Sequence, residues 1–126
     1  MRKIQIKRKW KFASATIPFW IIPSYITKAE FMKRYDLDGD LCKYGIWGES
    51  ERRLDVMTLD DIGVRVASGK TIELDINEGI KSLFVSTAWG SISNEISVQD
   101  IKGNRLCITT KGGLTTVSYP YIFEIV

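Results

Sequence analysis

The chain has 126 residues, 44% of them apolar and 26% charged, a size and balance that suit one domain with its own core and exclude wholesale disorder. Its net charge of +3 is unevenly placed: Arg2, Lys3, Lys7, Arg8, Lys9 and Lys11 put +6 into the first eleven residues, against 12 basic and 15 acidic residues in the remainder. Histidine is absent, which excludes Ser-His-Asp and Cys-His catalysis and removes the commonest metal ligand.

At the start of the chain, Ile4 and Ile6 alternate with Lys3, Gln5 and Lys7, the period of a strand with one buried face. The preferred reading is a solvated edge strand whose lysines discourage aggregation. The alternative is a basic arm that touches nucleic acid, an anionic membrane surface or the acidic body of a neighbouring chain. The uncharged run from Phe12 to Ile22 after this basic start looks superficially like an export signal. Pro18 and Pro23 interrupt it, no small-residue cleavage site follows, and it is too short to span a bilayer as a helix. It is therefore expected within the fold as one or two strands, with the cytoplasm as the default compartment.

Next, Thr27 and Glu30 form a capping box and Ile26 can staple against Phe31, which predicts a helix from Lys28 to about Tyr35. Phe31, Met32 and Tyr35 give it an apolar side opposite Lys33 and Arg34. Beyond Asp38-Gly39-Asp40, the segments Tyr44 to Trp47 and Leu54 to Leu59 read as short strands or irregular loop.

Ile62, Val64, Val66, Ile72, Leu74 and Ile76 alternate on either side of Ala67-Ser68-Gly69, the pattern of a β-hairpin. A three-residue loop keeps both runs in phase, pairs Ile62 with Leu74 and Val64 with Ile72, and places Gly69 in a left-handed bulge. Turn signals then recur roughly every ten residues at Asn77-Glu78-Gly79, Trp89-Gly90-Ser91, Lys102-Gly103-Asn104, Lys111-Gly112-Gly113 and Pro120. They separate the strand candidates Ser82 to Thr87, Ile92 to Val98, Arg105 to Thr110, Leu114 to Tyr119 and Tyr121 to Val126. Leu83 with Val85, Ile92 with Ile96 and Val98, and Leu106 with Ile108 share core-facing parities, and Phe123 and Ile125 are the final core pair, with Ile122 turned away. The expected fold is mainly β: an antiparallel sandwich of about eight strands formed by residues 1–23 and 62–126, with residues 24–61 as a helical insertion packed at one end.

Chemistry-bearing groups are sparse. Cys42 and Cys107 have no metal spacing and read as reduced, buried small hydrophobes, with a disulfide in an exported protein as the alternative. Asp36, Asp38 and Asp40 resemble the start of a calcium loop, but an EF-hand would need glycine at Leu41 and glutamate at Trp47, so an acidic helix-ending turn is preferred. Lys111-Gly112-Gly113-Leu114 lacks the spacing and following helix of a phosphate loop. Tyr44, Trp47, Arg52 and Arg53 are the candidate ligand-binding group, because Tyr, Trp and Arg dominate binding hot spots and can stack on bases or sugars. The plainer reading has the aromatics covering the sandwich and the arginines paired with Glu49, Glu51 and Asp55. Trp10, Trp20 and Trp89 are read as packing residues.

Arg2 to Arg8, the Ile62 to Ile76 pattern and Asn77 to Val85 together resemble small uncharacterised bacterial β-sandwich proteins in the style of PEGA domains. The resemblance covers about half the chain; Ala67-Ser68-Gly69 replaces the usual Asp-Gly turn, and Ser24 to Asp61 is an insertion. It implies a sandwich and offers no established enzymatic activity to carry over. The functional expectation is one domain, residues 1–126, acting as a non-catalytic interaction or accessory module with no catalytic residues, metal or cofactor. Its partner would be another protein or a second copy, with nucleic acid or an anionic membrane as further candidates through the basic first strand. The alternatives are a carbohydrate- or nucleic-acid-binding module that uses the insertion, and a structural subunit of a larger assembly.

Overall fold

A computed structural model describes residues 2–10, 17–37, 54–87, 92–111 and 119–125. They contain strands β1 (Arg2–Arg8), β2 (Phe19–Ser24), β3 (Val64–Val66), β4 (Thr71–Ile76), β5 (Ser82–Thr87), β6 (Ile96–Ser97), β7 (Arg105–Lys111) and β8 (Tyr119–Glu124), with helices α1 (Lys28–Arg34) and α2 (Val56–Ile62). Two four-stranded sheets form, β4-β1-β7-β8 and β3-β2-β5-β6. This is the mainly β sandwich the sequence predicts. The neighbours are antiparallel except β1 and β7, which run parallel.

Alternation along each strand separates two cores. Ile4, Ile6, Phe19, Ile21, Leu83, Val85, Leu106, Ile108 and Ile122 fill the space between the sheets. Trp20, Ile22 and Phe84 point the other way from β2 and β5 and meet Phe31, Leu54, Leu59 and Ile92. The helices thus cover the outer face of the second sheet and do not sit at one end of the sandwich. With both faces covered, Phe19–Ser24 and Ser82–Thr87 are nearly continuous buried runs with little polar alternation.

Helix α1 forms where its local signals place it. Thr27 Oγ1 accepts from the Glu30 amide at 3.2 Å, its hydroxyl lies 3.0 Å from the Glu30 carboxylate, and Ile26 and Phe31 share the outer core. The helix ends as Asp36 turns left-handed at φ 53°, with Asp36 N–H donating to Lys33 and Leu37 N–H donating to Met32. That pattern of bonds is a Schellman motif and agrees with an acidic helix-ending turn. Leu54 to Leu59, expected as strand or loop, instead leads into α2. Asp55 caps it by accepting from the Thr58 amide at 2.7 Å, and Leu59 is buried beneath it.

The expected hairpin is a corner between sheets. Ile62 ends α2, β3 pairs with β2, and β4 pairs with β1, so Leu74 lies opposite Ile4 and Ile72 opposite Ile6. Gly69 does take the left-handed conformation, at φ 77°, in a turn closed by Lys70 N–H to Ala67 C=O at 3.0 Å. The chain end of β1 anchors this turn: Gly69 donates to Arg8 C=O and Arg8 donates to Lys70 C=O, each at 2.9 Å. Alternation with a central glycine suits a hairpin and a sheet-switching corner equally; the partner strand decides, and β1 supplies six paired residues to β4.

Three further expectations are corrected by register. β1 is an interior strand between β4 and β7, not an edge. Ile122, opposite Ile108, is the core residue of β8, while Phe123, opposite Cys107, points outward. Ile92 and Ile96 do not share a face: Ile92 bridges to Ser86 but Ile96 pairs with Leu83, a one-residue slip that flips the side chains. Pro23 is tolerated within β2 because β3 reaches only Ile21. Ser24 C=O points to the β5 side, where it accepts from Lys81, so the Pro23 nitrogen faces the opposite side, beyond the last residue that β3 pairs.

Candidate functional site

Tyr44, Trp47, Arg52 and Arg53 lie outside the described residues, as do Cys42, Trp89, Asp38, Asp40 and the strand candidate's residues 114–118. The basic first strand is described from Arg2 to Trp10, and its charges divide by parity.

The two arginines turn inward or to the strand end. Arg2 donates from Nη2 to Ile101 C=O at 2.7 Å and to Gly103 C=O, and from Nε to Asn104 Oδ1 at 3.3 Å, so it holds the 101–104 loop. Arg8 is only 1% exposed; its guanidinium donates to Val66 C=O at 2.8 Å and lies 3.7 Å from the centre of the Phe19 ring. Burial pushes Arg8 down to about 10, still well above neutral pH. A forked, planar cation can satisfy several carbonyls and stack on a ring, and that suits arginine to these places.

The lysines do the opposite. Lys3, Gln5, Lys7 and Lys9 project from the outer face of the first sheet and are exposed. In register beside them, the outward positions of β7 are Arg105 opposite Gln5, Cys107 opposite Lys7, then Thr109 and Lys111. Those of β8 include Phe123 opposite Cys107 and Tyr121 opposite Thr109. Five cations and two aromatic rings therefore share one sheet face, with Glu73 and Asp75 of β4 along one border. The Lys3–Glu73 ion pair across that border is 4.0 Å long between two well-exposed side chains, a contact of little energetic weight.

The rings and cations are interleaved. Tyr121 and Phe123 stand two residues apart with centroids 6.0 Å apart and planes 30° apart. Lys111 Nζ lies 3.7 Å from the Tyr121 centroid, and Lys9 Nζ lies 5.8 Å from that of Phe123. Exposed cation–π contacts contribute about 0.5–1 kcal/mol, whereas a nucleic-acid base stacked on a protein ring contributes about 1–3 kcal/mol, so these lysines can give way to a flat ligand. Cys107, between Lys7 and Phe123, is only 2% exposed and has no disulfide.

Sequence reasoning missed this set because its members come from β1, β7 and β8. The outward parity of Arg105, Thr109 and Lys111 was readable; the wrong parity for β8 hid Tyr121 and Phe123. Trp20 is buried as expected, but Trp10, next to Lys9, is 62% exposed and touches the turn at Gly69.

Elsewhere, a cleft of about 410 Å³ is lined by Thr27, Ile80, Lys81, Ser82, Glu95, Ser97 and Gln99, where Glu95 already accepts from the Lys28 amide. Among the described residues no three His, Cys, Asp or Glu side chains group as a metal site. No described helix is long and apolar enough to cross a membrane. Comparison with family models, curated proteins and solved structures finds nothing to which the chain is significantly similar.

Proposed function

We propose that this chain is a non-catalytic binding module that takes a polyanion on the outer face of its first sheet. The observation that carries this reading is the convergence of Lys3, Lys7, Lys9, Arg105 and Lys111 on one face, while Arg2 and Arg8 of the same basic segment are engaged in structural bonds. Closely spaced cations on one surface raise the local concentration of anions and steer them to it. The absence of histidine supports a binding role over catalysis. The cytoplasm, where polyanions are abundant, is the proposed compartment.

Titration with inorganic polyphosphate at low ionic strength tests this reading. Lys7→Glu combined with Arg105→Glu is expected to weaken binding at least tenfold, whereas Lys33→Glu on α1 leaves it unchanged. No binding by the wild-type chain, or equal losses in both variants, overturns the proposal.

A further inference from the structure

Resting on that reading of the face, we infer that its polyanion is a single-stranded nucleic acid whose unpaired bases stack on Tyr121 and Phe123. Charge alone accounts for the lysines but not for two partly exposed rings set among them. Tyr121 and Phe123 are held on the stiff backbone of β8, anchored by β7 in register, with core-facing Ile122 between them. Each has an ammonium over its ring, Lys111 and Lys9 respectively, which a stacking base would displace toward its own phosphate, so a base contact and a phosphate contact would alternate along the strand. This pairing is what a single strand presents, since its bases are free to leave one another and its phosphates follow at every step.

Duplex fits poorly. Its bases are stacked on one another, and reading its grooves takes a projecting helix or ribbon. Both described α-helices lie on the far side of the molecule, over the second sheet. Glu73 and Asp75 repel a phosphate backbone from the β4 border, which confines the strand to β1, β7 and β8. Within that zone Gln5, Arg105 and Thr109 supply donors that can reach base edges.

The test is fluorescence anisotropy with labelled oligothymidylate, a labelled duplex, polyphosphate as competitor, and phosphatidylserine vesicles. The wild-type chain is expected to bind the single strand about tenfold or more tightly than the duplex. Phe123→Ala and Tyr121→Ala are each expected to lose about tenfold for the single strand and nothing for polyphosphate, while Phe123→Trp and Tyr121→Phe retain affinity. Lys111→Glu, at an exposed site, is expected to weaken both ligands and gives a second variant if an alanine form fails to fold. Equal affinity for single strand, duplex and polyphosphate, unaffected by Phe123→Ala, overturns stacking while the polyanion site survives. Binding to none of the polyanions overturns both. Vesicle binding that oligothymidylate does not displace overturns the nucleic-acid assignment in favour of a membrane surface.

Discussion

The side-chain amide of Asn94 imitates a strand beside Ile122: it donates to Ile122 C=O at 2.8 Å and accepts from Ile122 N–H at 2.9 Å. Ile122 faces Ile108 in register, and these bonds fall on the edge of β8 away from β7, where no described strand lies. The preceding residue, Ser93, is fixed to β5 through Val85, by Ser93 N–H to Val85 C=O at 2.8 Å and Val85 N–H to Ser93 Oγ at 2.7 Å. Two adjacent residues thereby tie one sheet to the other.

Asn94→Ala leaves both Ile122 groups without this partner and is expected to lower stability by about 1–3 kcal/mol, measured as a shift in the urea midpoint. Asn94→Asp is expected to cost more, because a carboxylate faces the Ile122 carbonyl with no hydrogen to offer. Equal stability of all three proteins would show that the edge is satisfied another way.

Leu59 tests whether the helices belong to the cooperative unit. It is fully buried over the second sheet beside Trp20 and Phe84, so Leu59→Ala is expected to cost about 2–5 kcal/mol in one transition. The Trp20 indole donates to Asp60 at 2.8 Å, so its fluorescence reports the same event. A separate early transition, with the rest of the fold unaffected, would contradict a shared core.

Gly69→Ala places a Cβ 3.5 Å from that of Trp10, an ordinary contact, so its cost comes from the backbone at φ 77°. A loss of about 1–2 kcal/mol is expected, and Gly69→Asn should recover part of it. Full stability in the alanine variant would mean that the turn has relaxed.

Glu124 gives the fold a sensitivity to acid. Its carboxylate accepts from the amides of Gly103 and Lys102, and these bonds hold it below the usual glutamate range. A carboxyl depressed in the folded state stabilises it above its unfolded pKa, near 4.5, and that contribution disappears as pH falls through the lower folded value. The melting temperature of Glu124→Gln is therefore expected to vary less with pH than that of the wild type in this acid range. Parallel pH profiles for the two proteins would remove the assignment.

If Lys3, Lys7, Lys9, Arg105 and Lys111 all meet phosphates, the logarithm of the single-strand affinity should fall against that of salt with a slope of about −3.5. Lys7→Ala should flatten it by about 0.7. A slope near zero would contradict contacts to the phosphate backbone.

What the sequence revealed depended on how far apart the deciding residues lie. Thr27, Glu30 and Ile26 surround the start of α1, so that helix was legible; the left-handed Gly69 was too. The partner of β4 was not, since Ile4 and Leu74 are far apart in the chain and alternation says nothing about which strand comes alongside. The slip between Ile92 and Ile96 was hidden for a related reason: Ser93 and Asn94 look like ordinary polar residues until Val85 and Ile122 are beside them. The basic first strand was seen as a charged segment. Its joining with Tyr121 and Phe123 needed the sheet.

The place of β1 in the middle of the first sheet also sets an order of assembly. Its partners, β4 and β7, leave the ribosome long after it does, and the parallel pairing with β7 closes a loop of almost the whole chain. Such high contact order makes for slow folding. The nascent chain can pair β2 with β3 and β5, and β1 with β4, before residue 105 is made, but the other edge of β1 must wait for β7 and, beyond it, β8, with its lysines already in solution. The face that we assign to nucleic acid is thus the last part of the molecule to come into existence.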